Sequence, residues 1–218
     1  MSSAIETDVR QLAVTVTEGF DGEVAAELVK AWRLHVAVTD PEVYMRKAAG
    51  DIPQYIQFIG GIIDWSVLKL PAIAFLSRLG YLLADDVMSW ARGKLRAADA
   101  TVVDQLAVAI HTAQQKLSSP TKVLVAIELP DNRWGTALEL ETNDPALLGK
   151  HLALYAVNIE RIAELINDRC QRGDGPLSQG KIVIRDDDHI EVSWVSRDFQ
   201  RIQFILAPDS PTNKNTRQ

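Results

Sequence analysis

Cysteine is almost absent from this chain: Cys170 stands alone among 218 residues. A lone cysteine excludes an intramolecular disulfide and any metal cage built from several thiolates, and it suits a reducing compartment, with the cytoplasm as the default expectation. Cys170 falls near the end of an expected helix, where the negative end of the helix dipole disfavours a thiolate, so a reactive nucleophile is not expected there. Long uncharged stretches are missing too. The most apolar region, Ile52 to Ala84, is broken by Asp64, Lys69 and Arg78, leaving no run of the roughly 18 residues that a spanning helix needs. The opening stretch Met1 to Asp8 has neither a basic n-region nor an apolar h-region, so no secretory signal peptide is expected.

Positive charge is also scarce. Lysine and arginine number 23 against 29 acidic residues, a net charge of −6, and the average field repels a phosphate backbone. Nucleic acid is therefore not an expected partner. The densest basic stretch, Arg92, Lys94 and Arg96, follows Asp85 and Asp86 and suits a helix C-terminus, where cations meet the negative dipole end.

The signatures of common chemistries are missing as well. The chain has no Gly-x-Ser-x-Gly elbow, and neither Gly60-Gly61 nor Gly173-Asp174-Gly175 has the spacing of a phosphate-binding loop. His35, His111, His151 and His189 lie far apart in sequence, and none forms the i, i+4 pair that would put two ligands on one helix face. No cofactor and no metal ion is expected from these patterns, and no catalytic constellation can be assembled.

What is present is a foldable pattern: 47% hydrophobic and 24% charged residues belong to an ordered globular chain rather than a disordered one. Leu12, Val14 and Val16 alternate with Ala13, Thr15 and Thr17, the period of a half-buried strand. Asp21 then caps a helix bearing Val24, Leu28 and Trp32, and Leu34, Val36 and Val38 alternate as a second strand. Asp40-Pro41 has the composition of a helix start, predicting a short helix to about Ala49. Past Pro53 the apolar region predicts two helices hinged at Gly60-Gly61, followed by a helix from about Ala100 to Leu117 with Val103, Leu106, Ile110 and Leu117 on one side.

Ser118-Ser119-Pro120 marks a change to a strand-rich half. Lys122 to Leu129 and Thr136 to Thr142 read as a hairpin around Pro130-Asp131-Asn132. Asn143-Asp144-Pro145 opens the clearest helix, with Leu148, Leu152, Tyr155, Ile159, Ile162 and Ile166 on one face, and Gly173 to Pro176 closes it. Lys181 to Arg185 and His189 to Val195 form a second hairpin across Asp186-Asp187-Asp188, and Arg201 to Leu206 is a last strand before a polar tail, 208–218, expected to be disordered. The strand-Asp-Pro-helix order occurs at Leu34 to Ala49 and again at Ala137 to Ile166, an echo best explained by common capping chemistry.

The fold class expected is α+β: an N-terminal strand-helix-strand unit, a helical middle over about 40–117, and a C-terminal unit of β-hairpin, long helix and β-meander. The expected division is 1–119, 120–207 and the tail, with one continuous domain as the alternative. By elimination the expected function is that of a non-enzymatic interaction or regulatory protein, an accessory or inhibitor subunit that binds a protein partner or itself. Arg133 and Trp134, beside a turn, have the composition of an interface anchor. Asp186, Asp187 and Asp188 offer a charged hairpin tip for a basic partner, since consecutive turn residues point apart and suit a cation poorly.

Two rival readings remain open from sequence. Asp64, Arg78, Asp85, Asp86, Ser89, Arg92 and Arg96 share one sector of a helical projection, leaving a wide apolar arc. That arc belongs to a buried central helix, or to a membrane-associating or switching effector that uses 52–84 with Gly60-Gly61 and Pro71 as its flexible points. The other rival is an enzyme or small-ligand binder whose site forms only in the fold.

Overall fold

The computed structural model describes residues 11–44, 54–79, 100–117, 122–128, 136–140 and 142–207. In chain order the elements are β1 (Gln11–Thr17), α1 (Gly22–Arg33), β2 (Ala37–Val38), β3 (Glu42–Tyr44), β4 (Tyr55–Gly60) and α2 (Ile62–Trp65). A 3-10 turn (Ser66–Leu68), α3 (Lys69–Arg78), α4 (Thr101–Lys116), β5 (Lys122–Ile127), β6 (Thr136–Leu140) and α5 (Pro145–Gln171) follow. The chain closes on β7 (Gly180–Ile184), β8 (Ile190–Val195) and β9 (Arg201–Leu206).

The local signals in the sequence act as expected at several element starts. The Asp21 carboxylate accepts from the amides of Glu23 and Val24 at 2.9 and 3.1 Å, satisfying donors that the first turn of α1 leaves free. Asp144 does the same for Ala146 at 2.8 Å, with Pro145 as the first residue of α5. The spacing along α5 buries Leu148, Leu152, Tyr155, Ile159, Ile162 and Ile166, and α4 buries Val103, Leu106 and Ile110.

The nine strands make one mixed sheet in the order β2-β1-β4-β5-β6-β7-β8-β9, with β3 pairing β1 on the same side as β2. This is an α+β fold. One face of the sheet, through Leu12, Val14, Phe58, Val125, Leu138, Ile182 and Val192, joins the apolar faces of the helices in one buried cluster. That cluster and the β4–β5 pairing run across residue 120. On the opposite face a small apolar group of Leu124, Ala126 and Ala137 with Tyr55 and Ile59 gives way to ion pairs: Lys122 and Lys181 each reach Glu139 at 2.8 Å, and Arg185 reaches Glu191 at 2.5 Å.

β1 and β6 run the same way, because β1/β4 is antiparallel, β4/β5 parallel and β5/β6 antiparallel. The connection through α1 steps from β1 toward one edge, and that through α5 steps from β6 toward the other. With both helices on the same face, the two connections have opposite hands, so one departs from the usual right-handed rule. Among the described strands the sheet thus extends outward in both directions from its centre, with β2/β3 at one edge and β9 at the other.

Two expected helices are replaced by strands. Asp40-Pro41 does not start a helix; it lies in the gap between β2 and β3, both of which pair with β1 in parallel. Asp40 is instead taken by Arg33 at 2.6 Å, and the Arg33 Nε also donates to the Val38 carbonyl. Thr39 carries the ladder across the gap: its amide donates to Leu12 O at 2.9 Å, and its hydroxyl accepts from the Val14 amide at 3.0 Å. Proline lacks an N–H and is tolerated at such an edge. The echo of two strand-Asp-Pro-helix units therefore has no structural counterpart. The expected strand over Leu34 to Val38 shrinks to β2, with Leu34 exposed just after α1.

The second correction concerns Tyr55 to Gly60, within a stretch expected as helix and found as the central strand β4, which pairs with β1 on one side and β5 on the other. Gly60-Gly61 is not a hinge between helices. A Cβ on Gly60 would lie 2.4 Å from Leu12 Cδ2 and 3.3 Å from Trp65 Nε1, so glycine is needed there for close approach. The Trp65 indole donates to Gly60 O and Ala126 O at 3.1 and 2.9 Å, and the Asp64 carboxylate accepts from the Gly61 amide at 2.8 Å. Among the described residues no helix is long and apolar enough to cross a membrane.

Candidate interaction surface at the second hairpin

Two hairpins at the β9 end of the sheet share one turn geometry. In the first, Asp188 N donates to Arg185 O and Arg185 N to His189 O, both at 2.9 Å. In the second, Phe199 N donates to Ser196 O at 3.0 Å and Ser196 N to Gln200 O at 2.9 Å. Each is a three-residue loop whose last residue turns left-handed, with φ of 67° at Asp188 and 58° at Phe199. The left-handed region costs little for glycine, asparagine or aspartate and about 1 to 2 kcal/mol for other side chains. Asp188 suits its position. Phe199 does not.

The first tip is tied back to α5. Asp188 pairs with Lys150, and the two side chains are only 15% and 14% exposed. Asp187 accepts from the His189 amide at 3.3 Å and lies 3.1 Å from the His189 ring; the His189 amide holds its carboxyl below the ordinary carboxylate range. Nearby His151 is pushed down by burial and by Lys150, with the charges of Asp188 and Asp186 acting in the opposite direction. Of the three aspartates, Asp186 and Asp187 are exposed, while Asp188 is engaged within the fold.

Among the described residues the second tip has no such anchor. Phe199 is 81% exposed, and the same hairpin also exposes Val195, just before the turn, and Ile205, farther along β9 opposite Glu191, while the Leu177 amide donates to Val195 O at 2.8 Å. The inner side of the same hairpin is well packed. Trp194 lies against Phe204 with ring centroids 5.6 Å apart, its indole donates to Asp174 O at 2.7 Å, and the Arg169 guanidinium sits 4.6 Å from the Phe204 ring. The apolar side chains left outside therefore project from a firmly held scaffold.

β9 pairs with β8 alone among the described strands. The alternation of an antiparallel ladder decides which of its backbone groups face outward. Ser196 and Gln200 form the closing bonded pair, so Trp194/Ile202, Val192/Phe204 and Ile190/Leu206 are bonded pairs in turn. The bond from Leu177 N to Val195 O on the β7 side fits this phase. Arg201, Gln203 and Ile205 consequently direct their N–H and C=O groups away from the sheet, forming the kind of open edge that accepts another strand.

The other residues singled out from sequence fall elsewhere. Arg133 and Trp134 lie outside the described residues, as do Asp85, Asp86, Ser89, Arg92, Lys94, Arg96, 45–49 and the tail 208–218. Trp32, Trp65 and Trp194 are core residues. Cys170 is half-buried in the last turn of α5. Among the described residues no three histidine, cysteine or acidic side chains gather into a metal-binding group. Phe199, Val195, Ile205 and Leu177 were not singled out from sequence. Ser196-Arg197-Asp198-Phe199-Gln200 repeats the spacing of Arg185 to His189 between two strands, and a phenylalanine at the position that turns left-handed was the available signal. No family model matches this chain, and no curated protein or solved structure does either.

Proposed function

We propose that this chain is a non-enzymatic interaction protein that takes up a protein strand on the open edge of β9, with Phe199 as the side-chain anchor beside it. The observation that carries this reading is Phe199 itself, an aromatic ring 81% exposed on a left-handed backbone. Folding alone favours glycine or asparagine there, since the native residue incurs backbone strain and keeps most of its apolar surface in water. Strain of this kind is retained where a ligand or partner uses the side chain. Val195, Ile205 and Leu177 supply further exposed apolar surface on and beside the same hairpin, and the outward amides of Arg201, Gln203 and Ile205 supply main-chain pairing.

The test is affinity capture with the tagged chain, comparing wild type with Phe199→Gly after circular dichroism has established that both are folded. The reading expects a bound protein, or a second copy, to be lost with Phe199→Gly. Capture of the same set by both proteins refutes it.

A further inference from the structure

We propose that the strand taken up by β9 is β9 of a second copy of this chain, paired antiparallel about a two-fold axis through Gln203. The inference rests on the edge reading above and adds the identity of the occupant. Outward backbone groups belong to Arg201, Gln203 and Ile205. In this register Gln203 faces Gln203 of the second copy, and Arg201 faces Ile205 in both directions. All three outward residues are then used, giving about six hydrogen bonds at two per facing pair. A two-fold at Phe204 instead would call on the outward carbonyl of Ala207, which already accepts from Arg161 Nη1 at 2.8 Å.

The side chains fit the same register. On the inner face Ile202 meets Phe204 of the second copy and Phe204 meets its Ile202, the aromatic to β-branched pairing that stabilises adjacent strands. On the outer face the amide of Gln203 meets its own mate, and Phe199 comes alongside Ala207 at the end of the pairing. Arg201 is the sole charged side chain of β9. It is 72% exposed and lies a loose 3.8 Å from Glu191 of its own hairpin. Across the two-fold it borders Ile205 of the second copy, whose neighbour on β8 is Glu191. Two strand spacings, about 10 Å between Cα atoms, separate Arg201 from that carboxylate residue, a span that extended arginine and glutamate side chains cover together. The two Arg201 residues stand about 14 Å apart, beyond a Debye length of about 8 to 10 Å, so their repulsion is screened. This isologous contact joins two sheets into one and closes on itself.

Sedimentation equilibrium of the full chain from nanomolar to about 100 μM tests the proposal. The wild type is expected to dimerise. Gln203→Pro deletes an outward N–H and leaves the β8–β9 ladder intact, so the variant should keep its fold by circular dichroism and weaken the dimer by about 100-fold, having lost a bond in each direction across the two-fold. Gln203→Lys and Gln203→Glu leave the backbone alone and guard against a misfolded proline variant. Each should weaken its own dimer about fivefold by setting like charges opposite each other, and mixing the two should restore association. A wild type that stays monomeric at about 100 μM, a dimer indifferent to Gln203→Pro, or a lysine and glutamate mixture no tighter than either variant alone overturns the proposal. Monomeric wild type with Phe199-dependent capture of a different protein overturns the self-pairing and leaves the edge reading standing. Neither dimerisation nor capture depending on Phe199 removes both.

Discussion

Replacing Phe199 by glycine separates what the ring does for the fold from what it does for association. Glycine relieves about 1 to 2 kcal/mol of left-handed backbone strain, and its freer unfolded chain gives back about 0.4 to 1 kcal/mol of that gain. Phe199 is 81% exposed, so about a fifth of an aromatic surface of roughly 200 Å², near 40 Å², is covered. At about 25 cal/mol per Å² this is worth about 1 kcal/mol. The contributions nearly cancel, and Phe199→Gly should change the unfolding free energy by less than about 1 kcal/mol, where truncating a core phenylalanine costs about 3 to 5 kcal/mol. Urea denaturation followed by fluorescence and circular dichroism reads this directly, with an unchanged m-value as evidence that the same surface is exposed on unfolding. A loss above about 2 kcal/mol refutes the reasoning, because it would mean that the ring packs within its own chain.

Three other perturbations probe the scaffold. Gly60→Ala forces a Cβ to 2.4 Å from Leu12 Cδ2 in the central strand and should cost about 1 to 3 kcal/mol in urea denaturation, the range for overpacking; no change would mean that Leu12 can move aside freely. Asp188→Asn removes the charge opposite Lys150 at a site where both side chains are mostly buried, so a loss of about 1 to 3 kcal/mol is expected, along with a further fall in the His151 pKa by NMR titration, since Asp188 supports its protonated form. The folded-state pKa of His151 is depressed, so below the ordinary histidine value of about 6.5 the unfolded chain binds a proton that the folded chain refuses. Stability from this group is therefore full above that value and falls as the pH drops through the folded pKa, and His151→Gln should flatten the stability profile over that window; an unchanged profile contradicts the assignment.

The elements legible in the sequence are those whose signals are local. Asp21 and Asp144 cap helices through amides two or three residues away, and α5 shows its apolar face by spacing alone. Hairpins β5–β6 and β7–β8 follow from strands separated by turn residues. Asp40-Pro41 misleads because its aspartate is claimed by Arg33, seven residues earlier and across a turn. β4 misleads because Ile56 and Phe58 face the helical core while Tyr55 and Ile59 join the apolar group on the other face; a strand apolar on both faces shows no alternation and reads as a buried helix. Sheet order and the opposite hands of the α1 and α5 connections depend on pairings between distant segments, which no local pattern encodes. At the candidate surface, the turn at Asp186 to Asp188 was readable, but the tie from Asp188 to Lys150 required α5 in place. Phe199 became notable only once its turn type, and hence its backbone sign, was fixed.

Amide exchange along β9 tests the use of this edge most directly, because alternate residues serve as each other's control. By NMR, the amides of Ile202, Phe204 and Leu206, bonded to β8, should exchange slowly at every protein concentration. Those of Arg201, Gln203 and Ile205 should exchange quickly in dilute protein and become protected as the chain associates. Fast exchange at these three residues under conditions where the chain is associated would contradict the account, and would move the interaction surface away from β9.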